Sequence, residues 1–177
     1  MFKKAVLIII SLLLFFLQVS FFSAPPALAA GFNVLLVYSI LVLLLVDVRL
    51  SLAYALFFGI LTDLYSLYPF GIFIASFCIA VVISHIFLQQ FFTNKSVYSF
   101  IALMALATVC FLSLQAALVW GAHFFIFNAL YAPVWTAAFA RALLWQTLGN
   151  TIIAAVSFYA IDYFSKKLKP FLIQRQQ

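Results

Sequence analysis

The groups best suited to acid–base, thiol or metal chemistry are few: Asp47, Asp63, Asp162, His85, His123, Cys78 and Cys110, with no Glu anywhere in the chain. Their spacing builds no familiar centre. There is no C-x-x-C, no H-E-x-x-H, no G-x-S-x-G and no paired-carboxylate motif. Cys78 and Cys110 sit inside apolar runs and read as small buried residues. Asp47 lies beside Arg49, and Asp162 lies close to Lys166 and Lys167, which reads as charge pairing at an interface. His85 and His123 are expected near opposite ends of a bilayer, so no shared metal site is expected. The inventory argues against an enzyme and implies no cofactor.

Asp63 stands apart. It lies in GILTDLYSLYPFG, residues 59–71, inside an otherwise apolar region. An ionisable group at membrane depth costs a few kcal/mol, on the order of ~3, unless it is paired or faces a polar interior. Two readings stay open: Asp63 at the outer headgroup level, or Asp63 fixing the following turn or meeting a partner. Pro69 and Gly71 would break one helix there and start the next tightly. Small residues mark candidate helix contacts nearby. Ser76, Ala80 and Ser84 recur at i, i+4 and i+8, with Gly71 and Ala75 beside them, and Ala55 and Gly59 form a small-x-x-x-small pair. Such faces let backbones approach closely in lipid, either within the chain or against a transmembrane helix of another subunit.

The elements that must position these residues follow from composition. The 177 residues are 69% hydrophobic and hold nine Lys or Arg and three Asp, with a mean hydropathy of +1.29. So few charges cannot cover a soluble surface, and the hydrophobicity is too high for disorder. A net charge of +6 in so apolar a chain points to membrane topology rather than to nucleic acid. The expectation is an all-α integral membrane protein of about six spans with short loops. The spans are placed at 5–22, 32–46, 50–68, 70–92, 97–120 and 137–164, in one membrane domain over 1–165, followed by a basic cytoplasmic tail over 166–177. The third span reaches Asp63 early, so it must carry Asp63 into the membrane, extend toward Tyr68, or bend. The fifth and sixth are joined by an uncharged connection through His123, Asn128 and Pro133. Runs such as LLVYSILVLLLV are continuously apolar, unlike barrel strands, which alternate. Pro25, Pro26, Pro69, Pro133 and Pro170 fall between or after the spans.

Charge sets the orientation. With both termini cytoplasmic, Lys3, Lys4, Arg49, Lys95, Lys166, Lys167, Lys169 and Arg175 share the inner side, and Arg141 snorkels near the outer start of the last span. An odd span count would export the basic tail. In a competing reading, residues 1–29 are a signal peptide cut after Ala29 within SAPPALAA, although eighteen apolar residues from Ala5 to Phe22 exceed the ~7–15 usual for such a region.

The stretch Ala53–Gly71 resembles the core signature of the rod shape-determining protein MreD family, through Gly59, Leu61, Asp63–Leu64, Pro69 and Gly71. The first span, ending at Leu17–Gln18, is similar to that family's N-terminal segment, as are the length, six-span layout and basic tail. The PPALAA linker and the Phe-rich composition depart from the family pattern. The resemblance implies a non-enzymatic scaffold of the bacterial inner membrane. It would bind the bitopic protein MreC and help couple the MreB cytoskeleton to the peptidoglycan synthases of elongation. The sequence also fits another class, the substrate-binding subunit of an energy-coupling-factor vitamin transporter. Its ligand pocket would draw on Gln115, Trp120, His123, Asn128, Trp135, Arg141 and Trp145 near the outer side.

Overall fold

The structure is a computed structural model that describes residues 2–22, 32–91, 97–127 and 136–173. The described residues are helical, without strands. Helix α1 covers Phe2–Leu17 and continues as one wider π turn over Gln18–Phe22; α2 is Val34–Leu45, α3 Val48–Tyr65, α4 Ile72–Phe91, α5 Val97–Phe127 and α6 Ala137–Ile173. Among the described residues, three helices are long and apolar enough to cross a membrane: α3, α4 and the Tyr98–Ala122 part of α5.

Helix α2 is the centre of the bundle. It is apolar nearly all round, and such a helix is stable only when surrounded. Leu35, Leu36, Val37, Ile40, Leu43 and Leu44 are buried. Its twelve residues span about 18 Å, well under the ~30 Å hydrocarbon thickness. Eight of the twelve are buried, so other helices enclose it. Phe58 from α3, Phe77 from α4, Phe100 and Phe111 from α5, and Ala154 from α6 complete the same buried cluster.

Successive helices run antiparallel. Tyr38 meets Tyr54 edge-on at 5.1 Å across α2 and α3, and the Ser51 hydroxyl donates to the Ser39 carbonyl at 2.8 Å across the same joint. Phe77 meets Phe111 at 4.7 Å between α4 and α5, and Phe100 meets Phe158 at 5.9 Å between α5 and α6. Outward faces remain apolar: Ile9, Leu13 and Phe16 on α1, and Leu148, Ile152 and Val156 on α6, are exposed. Exposed apolar area of this extent suits contact with lipid or another chain rather than water.

Several expected boundaries move. The third helix stops at Tyr65 rather than reaching Tyr68, because Asp63 and the turn after it occupy the helix end. The fifth helix runs on to Phe127, so His123 lies within a helix and not in the connection; no Pro or Gly cap interrupts the run before Asn128. The sixth continues through Lys166, Lys167, Lys169 and Pro170 to Ile173. The basic segment is thus a helical extension, and no break falls at 165. Residues 23–31, with the SAPPALAA linker, and Lys95, Asn128, Pro133, Trp135 and Arg175 lie outside the described residues.

Candidate functional site

The α3–α4 turn is built around the Asp63 carboxylate. Asp63 is buried, 4% exposed, in the last turn of α3. Its Oδ2 accepts from the backbone N–H of Gly71 at 3.0 Å and of Ile74 at 3.1 Å, and its Oδ1 accepts from Phe73 at 3.0 Å. A helix begins with four N–H groups that have no intrahelical partner. Asp63 satisfies two of those of α4 and the N–H of the residue before it, from the neighbouring helix. Its negative charge also faces the positive end of the α4 dipole. Of the two readings of Asp63, this geometry is that of a residue fixing the turn.

The other motif residues serve the same corner. Gly71 has φ +103°, a left-handed conformation that costs a side-chain-bearing residue about 1–2 kcal/mol. Its carbonyl accepts from Ala75 at 2.9 Å, the first bond of the α4 ladder. Pro69 lies in the intervening loop. Gly59, a turn back along α3, touches the α4 backbone: a Cβ there would stand 2.7 Å from Ile74 Cα. Ala55, Ser76, Ala80 and Ser84 are fully buried. The small-residue faces therefore pack within this chain and are not exposed to another helix. The Ser76 hydroxyl turns back onto the Ile72 carbonyl at 2.8 Å, whereas Ser84 Oγ and His85 Nδ1 are buried without a hydrogen-bond partner.

A second polar cluster joins four elements. The Asn33 backbone N–H donates to Asn150 Oδ1 at 2.7 Å, and Asn150 Nδ2 donates to Thr108 Oγ1 at 3.2 Å. Thr108 Oγ1 in turn donates to the Met104 carbonyl at 2.9 Å. The Asn33 side chain caps α2 by accepting from Leu36 N–H at 3.0 Å. Gln18 bridges the end of α1 to the start of α2: its Nε2 donates to the Phe32 carbonyl at 2.7 Å and its Oε1 accepts from Val34 N–H at 2.8 Å. Such bonds count where no water competes, because an unpaired polar group in hydrocarbon is costly.

Beside this cluster, at the Asp63 end of the bundle, lies a cavity of about 270 Å³ to which all six helices contribute. Gln18, Asn33, Thr62, Ser66, Gln115 and Gln146 give it polar walls, and Phe73, Phe77 and Phe111 form an aromatic one. Of the residues expected for a vitamin pocket, Gln115 lines it. Trp120, Arg141 and Trp145 do not, Asn128 and Trp135 lie outside the described residues, and so does the His123 side chain. No protein-family profile, curated protein or solved structure matches the chain.

Asp63, Pro69 and Gly71 were legible as one reading of the turn and Gly59 as half of a small-residue pair; only the resemblance grouped the four. Asn33, Thr108, Gln146 and Asn150 were not singled out. The signal was present: Gln146 and Asn150 stand four residues apart in an apolar helix, hence on one face, and polar residues in such a helix turn inward. The two free cysteines, Cys78 and Cys110, are half-buried. Asp47 and Arg49 are exposed at the start of α3, and the Asp162 side chain lies outside the described residues.

Proposed function

We propose that the chain is a non-enzymatic scaffold of the bacterial cytoplasmic (inner) membrane, with six spans and both termini in the cytoplasm. In this reading it belongs with the MreD proteins. It binds a bitopic protein of the MreC kind and helps couple the MreB cytoskeleton to the peptidoglycan synthases of elongation, so that cells keep a rod shape. The observation that carries the reading is the α3–α4 corner. Gly59, Asp63, Pro69 and Gly71, on which the MreD resemblance rests, meet there in one tightly bonded hairpin. A rigid corner of this kind suits positioning of partners more than turnover of a substrate.

The helix order supports the orientation. Lys3 and Lys4 begin α1 and Arg49 begins α3. Lys95 lies between α4 and α5, and Lys166, Lys167 and Lys169 end α6. In an antiparallel bundle these positions share one end, as the positive-inside rule asks. The test is affinity purification from detergent together with depletion in a rod-shaped host. The scaffold reading expects recovery of a bitopic partner, rounding of depleted cells, and weaker recovery with Asp63→Ala. Unchanged cell shape with no bitopic partner recovered would overturn it, and co-purifying ATPases would point to a transporter instead.

A further inference from the structure

The cavity beside the polar cluster has features that no scaffold role requires. Thr108 on α5 and Asn150 on α6 are bonded to each other. Gln115 is two turns beyond Thr108 and Gln146 one turn before Asn150, so both stay on the same two helix faces and form the next polar layer toward the Asp63 end. That next layer lines the cavity. There the pairing stops. Gln18 and Asn33 are bonded to backbone groups, but among the described residues neither Gln115 nor Gln146 makes a hydrogen bond within the chain. Two carboxamides, each offering a donor and an acceptor, thus face one space.

Three further facts narrow the occupant. Among the described residues, none lining the cavity is charged, so the lining offers an ion no counter-charge. The opposite wall is aromatic, with Phe77 and Phe111 rings 4.7 Å apart and Phe73 beside Phe111 at 6.4 Å. The volume of about 270 Å³ falls just below the ~300–1,000 Å³ of drug-sized pockets, which favours one ring over two. We infer that this cavity is a binding site for a small neutral molecule carrying an amide edge on a single flat ring. The amide pairs with Gln115 and Gln146 while the ring lies against Phe73, Phe77 and Phe111. The site is independent of the scaffold role.

Nicotinamide and nicotinate make a matched probe pair, equal in shape and differing in charge at neutral pH. Binding is titrated to the full-length protein in lipid nanodiscs by calorimetry, with empty nanodiscs as the control. Saturable binding of nicotinamide is expected, with nicotinate at least about tenfold weaker. Gln115→Leu and Gln146→Leu are each expected to weaken nicotinamide about two- to tenfold, the worth of one hydrogen bond. Recovery of a bitopic partner should stay unchanged in both variants, which separates this site from the scaffold role. No saturable binding beyond empty discs, or equal binding of the two probes, would overturn the assignment. So would folded variants that bind nicotinamide as well as the parent. Should a variant fail to fold, the discrimination between probes by the parent protein decides the question alone.

Discussion

The Asp63 carboxylate holds three backbone N–H groups with two oxygens, and its burial removes water as a substitute partner. Hydrogen bonds to a charged acceptor contribute about 1.5–3 kcal/mol each and do not simply add. Asp63→Ala should therefore lower stability by about 2–4 kcal/mol, read as a drop in the unfolding midpoint in detergent. Asp63→Asn keeps one acceptor oxygen but turns an NH2 group toward N–H donors, so it should recover only part of the loss. A midpoint equal to the parent in Asp63→Ala would show that the α4 N-terminus finds other acceptors. An isolated acid in an apolar run was visible in the sequence. That its partners lie eight to eleven residues onward was not, because spacing across a loop does not say which way the backbone N–H groups point.

Between elements, the α3–α4 contact turns on the absence of one side chain. A Cβ on Gly59 would collide with the Ile74 backbone, which cannot rotate away as a flexible side chain could. Gly59→Ala should push the helices apart and cost about 1–3 kcal/mol. Gly121, within α5, has nothing within 4 Å of its would-be Cβ, so Gly121→Ala should be neutral or stabilise by up to about 1 kcal/mol through helix propensity. Thermal unfolding of the two variants side by side checks the opposite signs; equal shifts would mean that α3 and α4 adjust freely. The small-x-x-x-small pattern pointed to close packing here, yet it did not say with whom. The structure encloses Ala55, Gly59, Ser76, Ala80 and Ser84 inside the chain itself. Helix ends were the least legible feature. Apolar runs mark where a helix can lie in lipid, and they did not show that α5 runs on to Phe127 or α6 to Ile173. The shortness of α2 was hidden for the same reason: a uniformly apolar segment reads alike whether lipid or other helices surround it.

At the scale of the molecule, antiparallel helices bring the starts of α1, α3 and α5 and the end of α6 to one end, and the Asp63 corner and cavity to the other. In a background with Cys78→Ala and Cys110→Ala, Leu67→Cys in the α3–α4 turn should react with a membrane-impermeant maleimide on intact cells. Lys95→Cys should react only after the cells are opened. The reverse pattern would invert the proposed orientation. Leu67 is fully exposed, so its labelling is not limited by packing.

The Asn33–Asn150 bond joins residues 117 positions apart, and that separation can be read as time. A ribosome adding about 5–20 residues per second makes Asn150 roughly 6–23 s after Asn33. For that interval the start of the central helix holds a backbone donor whose partner in the finished bundle, Asn150, has not been made. The Asp63 corner, by contrast, is complete within eleven residues, well under about 3 s of synthesis at the same rates. By the same clock the Gln18–Val34 and Ser51–Ser39 bonds, and then the Asp63 corner, have both partners made before α6 exists, whereas the bond that ties the start of α2 to α6 must wait for it.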